Sequence, residues 1–98
     1  MVNNLNNKNQ TVKMNASGRV QGVGFRWATI QIAQELNISG WVKNERNGSV
    51  TIVASGTNEN LEKFISKIKN SPTPFAKVEN LHLNYISKIV DKGFNVKY

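Results

Sequence analysis

The stretch Ser17-Gly18-Arg19-Val20-Gln21-Gly22-Val23-Gly24-Phe25-Arg26 gathers three glycines ahead of an arginine. Glycine at that density lets the backbone approach a ligand closely. If a helix starts directly behind the loop, its first N–H groups have no partner inside the helix and face back toward the loop, which suits an anion. Arg26 can add a planar fork of donors matched to phosphate oxygens. A glycine-softened turn with a solvated arginine would carry the same letters, and spacing alone does not separate the two. The segment is not a nucleotide P-loop, since no Gly-Lys-Ser/Thr follows, and it does not read G-x-G-x-x-G. The second candidate is Asn44, closing Gly40-Trp41-Val42-Lys43-Asn44. Its amide donates and accepts at once, so it can hold a water. Standing just ahead of Asn47-Gly48, it also fits an ordinary turn residue.

Other chemistries are excluded by composition. The 98 residues contain no cysteine and a single histidine, His82. That rules out disulfides, thiolate zinc and histidine-rich metal sites. His82 itself reads as an exposed or edge residue. The formal charge is +7, but the excess is spread along the chain with no block of five or six like charges. Such a field favours small anionic partners and does not by itself indicate specific nucleic-acid binding. No apolar run reaches the roughly 18 residues of a membrane span. Residues 1–10 hold no apolar core segment, which argues against a secretory signal. A soluble, cytoplasmic, monomeric protein is the expectation.

The elements that must position these residues follow from periodicity. Residues 1–10, rich in Asn, are too polar to bury and read as a disordered tail, leaving one domain over residues 11–98. Val12, Met14 and Ala16 alternate with polar neighbours, as a half-buried strand does. Residues 25–36 read as a helix with Phe25, Ala28, Thr29, Ile32 and Leu36 on one face and Trp27 opposite it. Residues 38–44 and 50–54 read as two strands joined through Asn47-Gly48, the dipeptide preferred in tight type I′ hairpins. Trp41 falls in the core or on the sheet surface. Thr57 or Asn58 can cap a second helix carrying Leu61, Phe64, Ile65 and Ile68, which Ser71-Pro72 ends. Leu81, Leu83 and Tyr85 alternate in a fourth strand, and Phe94, Val96 and Tyr98 in a short last one. The order predicts an α+β, ferredoxin-like βαββαβ fold: an antiparallel sheet, two helices on one face and an extra C-terminal strand.

Taken together, the glycine segment ending in Arg26, Gly40-Trp41-Val42-Lys43-Asn44, Asn47-Gly48-Ser49-Val50, the Ser71-Pro72 stretch with Ala76 and Val78, and Phe94-Asn95-Val96-Lys97-Tyr98 closely resemble the acylphosphatase family. The resemblance covers residues 11–98. It implies a ferredoxin-like fold and hydrolysis of the carboxyl–phosphate bond of acyl phosphates to a carboxylate and inorganic phosphate, without metal or cofactor. Arg26 matches the family's phosphate-binding arginine, and Asn44 matches the asparagine that orients the attacking water. The backbone of Gln21, Gly22, Val23, Gly24, Phe25 and Arg26 matches the phosphate cradle. Two positions depart from relatives. Glu45 brings a carboxylate close to the anion site, where many relatives are uncharged. Gly24 stands where some relatives have Cys, so thiol-linked behaviour does not carry over.

Two other classes compete. An RNA-recognition module of the same fold would stack bases on aromatic side chains of its central strands, yet residues 11–16 and 50–54 contain no Phe, Tyr or Trp. A module passing carbamoyl phosphate to a larger enzyme would be expected to have more chain attached.

Overall fold

The computed structural model describes residues 9–88 and 90–98. Seven elements follow in order: β1 (Asn9–Arg19), α1 (Phe25–Glu35), β2 (Ser39–Asn44), β3 (Val50–Thr57), α2 (Asn58–Lys69), β4 (Lys77–Ile86) and β5 (Phe94–Lys97). They form one five-stranded sheet in the order β4-β1-β3-β2-β5. The first four strands pair antiparallel, and β5 adds to β2 in parallel. This is the expected ferredoxin-like arrangement, with a parallel edge strand that alternation could not reveal.

β1 begins at Asn9 rather than Thr11, because Asn9 and Gln10 pair with Thr57 and Gly56. The rest of the expected tail, residues 1–8, lies outside the described residues. Val12, Met14 and Ala16 all face the helices and are fully buried. They meet Ile52 and Ala54 of β3, Val42 of β2 and one face of each helix. The α1 stripe is narrower than the periodicity suggested: Phe25, Thr29 and Ala33 are buried, at i, i+4 and i+8, and Ala28 and Ile32 flank them half-buried. Thr29 tolerates burial because its hydroxyl donates to the Phe25 carbonyl at 2.8 Å. In α2 the Thr57 hydroxyl caps the helix by accepting from the Asn60 N–H at 3.2 Å. Glu59 sits in the first turn and Lys67 and Lys69 in the last, each matched to the helix dipole. Leu61, Phe64 and Ile68 are buried, and the Phe64 ring meets Phe94 of β5 at 6.0 Å. The added strand therefore contributes to the core.

Two local expectations change. Gly18 does not belong to the loop before α1, because β1 runs through Arg19 with a register shift against β4 between Ser17 and Gly18. A Cβ at Gly18 would lie 2.3 Å from the Lys77 carbonyl oxygen, so glycine is there for close strand approach. The β2–β3 hairpin exists, but its turn is not type I′, since positive φ is confined to Gly48. Gly48 N–H donates to the Glu45 carbonyl at 3.2 Å, and Glu45 N–H to the Ser49 carbonyl at 2.8 Å. Asn47 instead turns its side-chain oxygen onto the Ser49 N–H at 3.0 Å, an Asx turn.

Candidate active site

The loop between β1 and α1 turns through two left-handed residues, Gly22 (φ 75°) and Gly24 (φ 76°). Neither would meet another atom closely through an added Cβ; what the positions require is the positive φ itself. Gly24 is also the N-cap of α1, and no side chain caps that end. No acidic residue occupies its first turn. Among the described residues, no hydrogen bond takes up the backbone N–H groups of residues 21–26. Uncommitted donors at a helix N-terminus concentrate positive potential where an anion can sit.

Two side chains hold this loop in place, and a third contact engages Arg26 behind it. Gln21 Nε2 donates to both the Glu45 and Ser49 carbonyls at 2.8 Å, tying the loop to the β2–β3 hairpin. Thr73 Oγ1 donates to the Val23 carbonyl at 3.1 Å, buttressing the loop from the segment after α2. The Arg26 guanidinium lies over the exposed Tyr98 ring, 5.7 Å from its centre, a cation–π contact. Asn44 ends β2 opposite Val50. Its Oδ1 is buried and has no hydrogen-bond partner among the described residues. A buried acceptor left open is costly unless a ligand or water fills it.

Gly22, Gly24, Phe25, Arg26 and Asn44 line one cavity of 270 Å³, together with Trp27 and Tyr98. The two candidate side chains and the loop are thus brought together, although Arg26 comes from a helix and Asn44 from a strand. Gln21 and Val23 take part through the anchoring contacts just described. Glu45 does not line this cavity. Its Oε2 accepts from Thr51 Oγ1 at 2.5 Å, which draws the carboxylate onto the open sheet face. His82 is exposed on the edge strand β4, paired with Asn15. Trp41 is half-buried under the Lys97 ammonium, 4.6 Å from its ring, beside a separate cavity of 330 Å³ at the other end of β2. Among the described residues no cluster of three metal-ligating side chains occurs, and no helix is long and apolar enough to cross a membrane.

Sequence reasoning did not find the anchors. Gln21 stands inside the motif, but only its backbone had an assigned place. Thr73 lies fifty residues from Val23, and no local spacing announces that contact. Tyr98 read as a strand residue, whereas it follows the end of β5.

The family model for acylphosphatase matches residues 12–96. A Lactobacillus gasseri acylphosphatase is 54% identical over 78 residues, which covers 80% of this chain and 86% of that protein. One from Oceanobacillus iheyensis is 42% identical over 88 residues, covering 89% and 97%. The crystal structure of acylphosphatase from Bacillus subtilis superposes with a TM-score of 0.85 at 33% identity, covering 91% of this chain and 99% of that one. With the loop, Arg26 and Asn44 gathered at one cavity of the fold these proteins share, the chain belongs to the acylphosphatase family.

Proposed function

We propose that this chain hydrolyses acyl phosphates at the cavity between the β1–α1 loop and Asn44. The observation that carries the proposal is the unpartnered Oδ1 of Asn44, lining one cavity with Arg26 and a loop of uncommitted backbone donors. The N–H groups of residues 21–26 and the Arg26 fork would hold the phosphoryl oxygens. Asn44 Oδ1 would accept a hydrogen bond from a water and place its oxygen in line with the carboxylate leaving group. The water oxygen forms a bond to phosphorus as the phosphorus–oxygen bond to the carboxylate breaks. The electron pair leaves with the carboxylate. The water's proton goes to a phosphoryl oxygen of the substrate, since among the described residues no carboxylate or imidazole side chain lines the cavity. An acyl phosphate suits such a site, because its carboxylate leaves without protonation and phosphoryl transfer asks mainly for positioning and charge stabilisation.

The small cavity supports acyl phosphates and inorganic phosphate as the ligands; that the chain works as a cytoplasmic monomer is part of the same proposal. Specific nucleic-acid binding is disfavoured because β1 and β3 carry no aromatic side chain and the third inner strand, β2, carries only Trp41. The test is phosphate release from benzoyl phosphate with a chelator present. Release should be rapid and inhibited competitively by inorganic phosphate. Inhibition that is not competitive would place the phosphate site elsewhere.

A further inference from the structure

Two glycines give the β1–α1 loop its left-handed turns, and they also leave its peptides free to turn over. The Val23–Gly24 peptide leads into Gly24 at φ 76° and ψ 16°. Glycine accepts φ of either sign at similar cost, so the backbone itself does not fix which way this peptide faces. The direction matters, because a trans peptide points its C=O and the following N–H opposite ways. With the Val23 carbonyl turned from the cavity, the Gly24 N–H faces the anion. Turned over, the same peptide would present an oxygen to it.

Thr73 decides between the two. Its Oγ1 accepts from the Ala76 N–H at 3.0 Å, which leaves the hydroxyl proton for the Val23 carbonyl at 3.1 Å. Gly24 lines the cavity, whereas Val23 and Thr73 do not, and the Val23 side chain packs against the core. The bond therefore holds the carbonyl on the side of the loop away from the anion. Thr73 is itself held without help from the loop. The Ala76 N–H also reaches the Thr73 carbonyl at 3.3 Å. Ser71 Oγ accepts from the Val78 N–H at 3.0 Å, fastening the segment to β4.

We propose that Thr73 is a positioning residue for phosphate binding: by holding the Val23 carbonyl it keeps the Gly24 N–H directed at the anion. The proposal rests on the acyl phosphate reading and adds to it a residue fifty positions from the loop. Thr73 touches no reacting atom, so its effect falls on binding. Without its hydroxyl, phosphate must select the competent loop from a mixed population, and apparent affinity drops by the competent fraction. Once bound, the phosphoryl group meets the same donors as in the parent, so turnover is kept.

The experiment titrates inorganic phosphate calorimetrically into the parent, Thr73→Val, Thr73→Ser and Ser71→Ala, and measures kcat and KM on benzoyl phosphate for each. Thr73→Val keeps the side-chain shape and leaves the Ala76 N–H its backbone acceptor. Its phosphate affinity should fall about 5-fold and its KM rise by a similar factor, the scale of one ordinary hydrogen bond. Its kcat should stay within about 2-fold of the parent. Thr73→Ser keeps the hydroxyl and should bind as the parent does. Ser71→Ala removes a hydroxyl of the same segment that does not touch the loop, so it should lower Tm and leave phosphate affinity unchanged. Parental affinity in Thr73→Val overturns the proposal. So does an equal loss in Ser71→Ala, which would make the stability of the segment the cause. A parent chain that binds phosphate but does not hydrolyse benzoyl phosphate would overturn the catalytic reading instead, with the titrations still deciding the role of Thr73.

Discussion

Arg26 and Asn44 border the same cavity, but the surroundings of each give them different duties. Arg26 lies over the Tyr98 ring and sits among free backbone donors, so its proposed work is to bind. The buried, open Oδ1 of Asn44 is an acceptor, which does not bind an unprotonated phosphoryl oxygen and suits a donor such as water. Arg26→Ala should leave the fold intact, weaken phosphate binding and lower turnover by about 10³-fold, as loss of a transition-state arginine does elsewhere. Arg26→Lys should recover little, because an ammonium does not donate as a planar fork. Asn44→Ala should keep phosphate affinity close to that of the parent while turnover falls about 10²-fold. Asn44→Asp should lose both, because it sets a negative charge against an anionic substrate. Phosphate titration and the rate on an acyl phosphate, measured for each variant, decide the matter. An Asn44→Ala protein that loses phosphate affinity as severely as Arg26→Ala would sink the water-positioning role.

The β2–β3 hairpin is the element that places Asn44, and its turn is fastened on both sides. Gln21 reaches it from the phosphate loop. Across the open sheet face, Asn15 Nδ2 donates to Ser49 Oγ at 3.0 Å and Thr51 Oγ1 at 3.3 Å, and Thr51 donates onward to Glu45. The last bond restrains a carboxylate that would otherwise be free to swing toward the anion site. Thr51→Val should release it, costing about 1 kcal/mol of stability for the lost hydrogen bond and about 2-fold in phosphate affinity from added repulsion across water. Glu45→Gln in that background should restore the affinity and leave the stability loss in place. If the double variant binds phosphate no better than Thr51→Val alone, the carboxylate exerts no such influence. These fastenings also mark where sequence reading stops. Strand alternation in β1 and the Leu61, Phe64 and Ile68 spacing in α2 gave the elements, because burial on one face imposes a period. The loop and Arg26 were legible because they are contiguous. The direction of the Glu45 carboxylate was not legible, because it depends on Thr51, and Thr51 becomes its neighbour only through the pairing of β2 with β3. The type I′ expectation failed similarly, since Asn47 satisfies its polar side chain locally and leaves positive φ to Gly48 alone.

At the scale of the whole molecule, the anion site joins segments that are far apart in sequence: the β1–α1 loop, the hairpin, the segment holding Thr73 and the C-terminal Tyr98. Unfolding scatters all four, so phosphate bound there binds the folded chain alone and must stabilise it. At a phosphate concentration of about 100 times its dissociation constant the gain is about 2.7 kcal/mol. For a domain of this size, that corresponds to a rise in Tm of roughly 10–20 °C. A chain of formal charge +7 also gains stability from any salt that screens its own repulsion. The comparison must therefore be made at matched ionic strength, with chloride measuring the non-specific part. The excess rise in phosphate should persist in Asn44→Ala, which keeps the loop and the arginine. It should shrink sharply in Arg26→Ala. Thermal unfolding of the three proteins in paired phosphate and chloride series gives the answer. An equal phosphate excess in all three would mean that the stabilising anion sits away from Arg26, and the phosphate site would have to be sought on another basic surface of the chain.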